Sequence, residues 1–377
     1  MEYRVLPKLN VSVSLLGYGC MRFPTKNGEI DEAEAEKLLD LAYSKGVNYF
    51  DTAYIYHSGK SESFVGKALS KYDRSSFYIA DKLPCWEVKN LDDAQRIFYE
   101  QLERLRTDYI DFYLLHSLGK GTWKKMVELG VLEFCENLKK QGKIKYFGFS
   151  FHDEYSVFEE IITSREWDFC QIQLNYMDTE YQAGMKGYRL AEKLGVPVII
   201  MEPLKGGMLA TLPDEVTGEL RQAKPGASVA SWGFRWIGSL PNVKVVLSGM
   251  STMQQLEDNL NTFGDFNPLN EEEYQMVEML ANSLKSRVNN GCTGCRYCMP
   301  CPAGVDIPQN FQIWNEYGIF KNRQSAVWRW ENNIEEEEKA KNCISCGQCE
   351  EACPQSLNIR DDLKRLQEEL DSLVKSS

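Results

Sequence analysis

The sequence is poor in histidine and in positive charge, and it has no long apolar run. Forty-three lysines and arginines face 55 aspartates and glutamates, a net charge of −12. Nucleic-acid binding rests on neutralising phosphates with basic side chains, so no nucleic-acid partner is expected. No apolar stretch approaches the ~20 residues that span a bilayer, and the polar start Met1 to Asn10 lacks the apolar core of an export signal. The expectation is a cytoplasmic protein with no membrane contact. In that compartment thiols stay reduced, so the 12 cysteines are not read as disulfides. The three histidines, His57, His116 and His152, are just enough for a three-imidazole zinc site, which is the lesser reading of them.

What is present suffices for a folded enzyme. At 43% hydrophobic and 26% charged residues the chain can bury a full core, and 377 residues accommodate a barrel of roughly 250 residues plus a small appendage. After a short segment with a hairpin pattern, Arg4 to Val13, apolar runs alternate with amphipathic ones in the rhythm of repeated βα units. Eight runs read as strands: Leu15 to Cys20, Val47 to Phe50, Phe77 to Lys82, Tyr109 to Leu115, Ile144 to Ser150, Phe169 to Leu174, Val196 to Met201 and Val243 to Leu247. Helical patterns lie between them. In the clearest, Ala35, Leu38, Leu39 and Ala42 are spaced i, i+3, i+4, i+7 behind the capping pair Asp31 and Glu34. Strand then helix, eight times over, predicts an α/β protein, a (β/α)8 TIM barrel; a doubly wound sheet would not need eight units. A last helix, Glu271 to Lys285, precedes an abrupt shift to Cys, Gly and Pro. The predicted division is therefore a barrel over 1–285 and a smaller, mostly helical domain over 286–377.

Four cysteines, Cys20, Cys85, Cys135 and Cys170, are scattered singly and read as small core hydrophobes. The other eight form two runs. Cys292, Cys295, Cys298 and Cys301-Pro302 are spaced C-x2-C-x2-C-x2-C-P; Cys343, Cys346, Cys349 and Cys353-Pro354 have the C-x2-C-x2-C-x3-C-P spacing of bacterial ferredoxins. Soft thiolates select iron-sulfur or zinc over hard cations, and structural zinc usually takes two C-x2-C pairs separated by a longer loop. Two [4Fe-4S] clusters are expected. In two-cluster ferredoxins the fourth cysteine of each run ligates the other cluster, which groups Cys292, Cys295 and Cys298 with Cys353, and Cys343, Cys346 and Cys349 with Cys301. The long stretch between the runs holds Trp314, Tyr317, Phe320, Trp328 and Trp330, too much aromatic area for a solvated linker. A helical ferredoxin-like module is predicted rather than a ββ-type one.

Within the barrel region, polar residues that a core would not ask for stand at the ends of successive predicted strands: Asp51, Lys82 and His116, with Tyr56 on the loop after Asp51. In a TIM barrel the C-terminal strand ends carry the active site, so the four should converge. The run Asp51-Thr52-Ala53-Tyr54-Ile55-Tyr56 followed by Glu62, then Lys82, then His116 after Tyr109 to Leu115, resembles the aldo-keto reductase family. The resemblance covers roughly 1–285. It implies NAD(P)H-dependent hydride transfer to a small carbonyl substrate, or the reverse, with Asp51, Tyr56, Lys82 and His116 as the catalytic tetrad and Tyr56 as general acid. Free tyrosine, with a pKa of ~10, is a weak proton donor. Lys82 is expected to lower that value, Asp51 to hold Lys82 charged, and His116 to orient the carbonyl oxygen.

The same resemblance implies cofactor contacts. Ser150 and Gln173 match residues that hold the nicotinamide amide, while Phe151 stands where the family has Asn. Met201, Pro203 and Leu204 take the place of an aromatic-Ser-Pro-Leu segment, with a thioether in place of the ring. Gly249, Ser251, Gln255 and Asn259 resemble the adenosine and phosphate loop. Gly249 and Gln255 stand where NADP-specific members carry Lys and Arg, which favours NADH. His57 replaces a family Gly and implies a narrowed or specialised pocket, one that His152 could join. Hydride carries two electrons and a cubane one, and no flavin motif is visible to mediate. The clusters are thus expected to be structural or to serve a redox partner protein. In the competing reading the protein is an electron-transfer module and the barrel a cofactor-binding or docking scaffold.

Overall fold

A computed structural model describes residues 1–6, 9–292 and 294–375. Pro7 and Lys8, inside the expected hairpin, and Thr293, inside the first cysteine run, lie outside the described residues, as do the last two. The chain forms two compact units, Met1–Gly207 with Ala230–Tyr274, and Met208–Val229 with Gln275–Ser377. The division falls within the helix Glu271–Lys285, and Met208–Val229 goes with the second unit.

Eight parallel strands close the first unit into a barrel: β1 (Leu16–Gly19), β2 (Tyr49–Asp51), β3 (Tyr78–Pro84), β4 (Ile110–Leu118), β5 (Ile144–Phe151), β6 (Phe169–Gln173), β7 (Val198–Met201) and β8 (Val243–Ser248). Each pairs with its sequence neighbours, and β8 pairs with β1. All eight predicted strands are found. Successive side chains on a strand point to opposite faces, and the inward row begins with packing residues: Tyr49, Ala80, Phe112 with Leu114, Phe169, Ile199, and Val245 with Leu247, all buried together. Two residues further along the same rows stand Asp51, Lys82, His116, Gln171 and Met201. Apolar layers at one end of the barrel thus hand over to polar ones at the other without any change of strand geometry. Gly148 marks a tight point between strands, since a β-carbon there would meet the Phe169 carbonyl at 2.6 Å.

The N-terminal hairpin, Tyr3–Leu6 against Val11–Ser14, adds Leu6 and Val13 to the inward cluster. Asp31 caps the helix Glu32–Ser44, its carboxylate accepting the Glu34 N–H; the buried face is Ala35, Leu38, Leu39 and Ala42, as the periodicity requires. After β6 the next helix, Gly184–Leu194, begins at a glycine with φ +52°.

Three helices of the second unit, Ile307–Phe320, Arg323–Asn332 and Ile359–Lys375, bury Phe311, Trp314, Trp330, Leu363, Leu366 and Leu370 in one core. The Trp314 indole N–H is satisfied by Glu369 at 2.6 Å. No strand occurs among the described residues after Lys285, so this unit is helical, as expected. Trp328 departs from the expectation that the aromatics are covered: it is 58% exposed.

Candidate active site and cysteine cavities

Asp51, Lys82 and His116 arrive at the C-terminal mouth of the barrel from three adjacent strands, and Tyr56 comes from the loop after β2. Two of them sit deeper than strand ends: β3 runs on to Pro84 and β4 to Leu118. The Lys82 ammonium is fully buried and donates to Asp51 Oδ1 at 2.7 Å and to the Thr52 carbonyl at 2.6 Å. It lies 4.9 Å from the centroid of the Tyr56 ring. Behind it, Gln101 donates to the Lys82 carbonyl, to Asp81 and to Glu62, and Tyr113 donates to Gln101. This network fixes the β3 backbone from which Lys82 projects.

Burial alone would depress the Lys82 ammonium, but Asp51 and Tyr56 beside it hold its pKa above the usual lysine range. For Tyr56 the balance differs from expectation. Burial raises the phenol and outweighs the lowering by Lys82, so the net value lies above that of free tyrosine. The charge of Lys82 acts in the predicted direction; what composition could not weigh is how dry the site is.

His116 stands edge-on to Tyr56, ring centroids 6.1 Å apart, and 5.0 Å from Trp86. Its Nδ1 is buried with no partner among the described residues. Burial, with Lys82 and His152 nearby, pushes its pKa well below the ordinary imidazole value. It is therefore neutral throughout the physiological range and able to donate a hydrogen bond without carrying charge. A pH profile of kcat/KM is expected to show no acid limb from this group between pH ~6 and ~7, where free histidine titrates.

Asp51, Tyr56 and His116 line a cavity of about 550 Å³, within the usual range of small-ligand sites. Tyr56, His116, Met201, Pro203, Leu204, Gly249, Ser251 and Gln255 line it. Ser150, Gln173 and Asn259 do not. The Ser150 hydroxyl accepts the Ser117 N–H at 2.8 Å, Gln173 donates to Asp178, and Asn259 donates to Ser248 Oγ. Gln171, one level deeper on the same face of β6, lines the cavity and has a buried Oε1 without a partner among the described residues. It pairs in register with Ser150. Arg22, Trp86 and Glu202 also line the cavity and had no counterpart in the sequence reading; His152, named there among the three histidines, lines it too.

The three histidines do not gather. His57 has φ +50°, in the region that favours the glycine it replaces, and its Nε2 accepts the Phe23 N–H at 3.2 Å. His57 is not among the cavity-lining residues, so it does not narrow the pocket as expected. Among the described residues no three His, Cys, Asp or Glu side chains are placed to hold a single metal ion, and the zinc reading of the histidines falls.

In the second unit the cysteines line two cavities. One is bordered by Cys292, Cys295, Cys298 and Cys353, with Pro308, Phe311 and Leu357. The other is bordered by Cys301, Cys343, Cys346 and Cys349, and also by Cys298, which lines both cavities, with Tyr297, Ile344 and Arg360 around it. Each cavity draws its fourth cysteine from the other run. Among the described residues no three of these thiols converge on one point, whereas a tetrahedral zinc site has Zn–S bonds of ~2.3 Å to a single ion.

A closed parallel barrel with a buried Lys–Asp pair, a tyrosine and a neutral histidine at its C-terminal mouth defines a TIM-barrel oxidoreductase. A family model described as "Aldo/keto reductase family" matches residues 15–282, and one described as "4Fe-4S dicluster domain" matches residues 291–357. The chain belongs to the aldo/keto reductase family and carries a 4Fe-4S dicluster domain. The uncharacterized oxidoreductase YqkF of Bacillus subtilis is 26% identical over 312 residues, 74% of this chain and 96% of that protein. L-galactose dehydrogenase of Arabidopsis thaliana is 26% identical over 314 residues, covering 76% and 96%. Among solved structures, the holo form of an aldo-keto reductase from Bacillus halodurans superposes with a TM-score of 0.62 at 27% identity, covering 74% of this chain and 96% of that one. Among the described residues no helix is long and apolar enough to cross a membrane.

Proposed function

We propose that this protein reduces a small carbonyl substrate with NAD(P)H, or runs the reverse reaction, with Tyr56 as proton donor. The observation that carries this is the convergence of Asp51, Tyr56 and His116 on one cavity, with buried Lys82 bonded to Asp51 and close to the Tyr56 ring. NAD(P)H, when bound, supplies the hydride to the carbonyl carbon. His116, neutral and with partnerless Nδ1, orients the carbonyl oxygen through its ring N–H. Tyr56 gives its phenolic proton to that oxygen as negative charge grows there. Lys82 stabilises the phenolate left behind until solvent returns the proton, and Asp51 keeps Lys82 in place. Gln171, with its spare amide oxygen, is the group suited to the nicotinamide carboxamide, in place of Gln173. The test is NADH and NADPH oxidation over an aldehyde, ketone and quinone panel; no turnover with any of them would end this reading.

The eight cysteines support two [4Fe-4S] clusters with crossed ligation. Anaerobically purified protein is expected to hold about eight iron per chain, and stoichiometric zinc without iron would refute the assignment. Cys353→Ser should leave about four iron. Adding Cys295→Ser should then cost no more, because both serve one cluster, whereas adding Cys346→Ser should empty the second. The reverse pattern of additivity would disprove the crossed grouping. One observation favours an electron-transfer role involving a redox partner protein: Tyr297 and Ile344, beside the Cys301/Cys343/Cys346/Cys349 cavity, are 71% and 66% exposed. Anaerobic reduction with NADH followed by EPR separates the roles. Cluster signals would couple the two units into one electron path, and their absence would leave the clusters structural or served by a partner.

A further inference from the structure

Because β8 pairs with β1 to close the barrel, the loops that follow these two strands emerge side by side. Ser251 Oγ donates to the Arg22 carbonyl at 2.7 Å. The Arg22 side chain then runs along bare backbone: a β-carbon on Gly249 would lie 2.9–3.1 Å from its Cβ, Cγ and Cδ, and one on Gly206 would lie 3.5 Å from its guanidinium. Arg22 is the one lysine or arginine among the described residues that line the cavity. Its side chain has no hydrogen bond or ion pair with any described residue. The acidic side chains of the same cavity are Asp51, held by Lys82, and Glu202, whose charge acts on His152. A surface arginine without a partner is ordinarily a solvated group. This one instead lies in a trough made by two glycines, on the wall of the cavity that holds Tyr56 and His116, beside Ser251 and Gln255.

We propose that Arg22 binds a phosphate group of the nicotinamide dinucleotide. This rests on the reading of the cavity as the NAD(P)H site. A guanidinium offers paired N–H donors matched to phosphate oxygens and keeps its charge at every accessible pH. Gly249 and Arg22 belong together, since any side chain at 249 would press on the arginine stem. The cation that the β8 loop lacks at Gly249 and Gln255 therefore comes from the loop after β1, and the preference for NADH expected from those two positions no longer follows.

The test is titration of NADPH and NADH by fluorescence into the full-length, cluster-loaded protein, as wild type, Arg22→Gln and Arg22→Lys. Arg22→Gln should weaken binding by roughly tenfold or more, the worth of one good charge-assisted contact, and Arg22→Lys should retain most of the affinity. A loss confined to NADPH assigns the 2′-phosphate, and an equal loss for both assigns the pyrophosphate; either supports the proposal. Unchanged affinity for both dinucleotides overturns it while leaving the cavity reading intact. A wild type that binds neither refutes the cavity reading and this proposal together.

Discussion

Replacing Tyr56 with phenylalanine is expected to lower kcat for carbonyl reduction by roughly 10²–10⁴-fold, the usual contribution of a positioned general acid, while NAD(P)H binding is retained. The ring, its place beside His116 and the cavity walls remain, and only the transferable proton is lost. Equal rates in variant and wild type would remove Tyr56 from the mechanism. The pH profile carries a second discriminating feature. Because burial outweighs Lys82 and lifts the phenol above its ordinary value, the protonated donor persists through neutral and mildly alkaline pH. Reduction should hold its rate up to pH ~10, the usual tyrosine value, and decline only beyond it. An alkaline limb centred near neutrality would mean that Lys82 prevails over burial in the working enzyme.

The other large effect falls on stability. Lys82→Met leaves the Asp51 carboxylate buried without its counter-ion, and Asp51 already has one oxygen, Oδ2, with no partner among the described residues. Removing one member of such a pair costs about 3–5 kcal/mol, readable as a lower urea midpoint of the first transition. The sign of the pH dependence follows from the raised folded-state value of Lys82. Its stabilisation is complete below the unfolded lysine value of ~10.4 and is lost only as pH climbs through the folded one, so at pH 7 the variant should show the full deficit. The double variant Asp51→Asn with Lys82→Met should recover part of it, because no charge is then stranded. If Lys82→Met unfolds at the same urea concentration as wild type, the pair contributes nothing to the fold.

Much of this architecture was legible because it is periodic. Eight apolar runs of strand length, separated by helical ones, leave few topologies other than the closed barrel, and the cysteine spacings carry their chemistry in the numbers alone. The misses have physical causes. The helices Lys120–Glu128 and Asp214–Ala223 each bury two residues, Trp123 with Met126 and Thr217 with Leu220, too few to print a period. Gln171 and Gln173 share a face of β6, so alternation cannot say which lies level with the cavity; that depends on how the strands are staggered. Arg22 was silent because its significance arises from barrel closure, which lays the chain around residue 22 against Gly249. The sign at Tyr56 required knowing the burial, a property of the finished fold.

The crossed sharing of cysteines between the two cavities has a consequence for how the second unit assembles. A cluster held by Cys292, Cys295, Cys298 and Cys353, as proposed, would staple together chain segments far apart in sequence, and the other would do the same between Cys301 and the second run. Such staples differ from disulfides in that the folded unit binds them and the unfolded chain does not, so their binding free energy adds to that of folding. The helices that bury Trp314 and Trp330 would then owe part of their cohesion to inorganic cross-links. In this protein iron supply, and not oxidation of thiols, would be the condition for a tightly folded C-terminal unit.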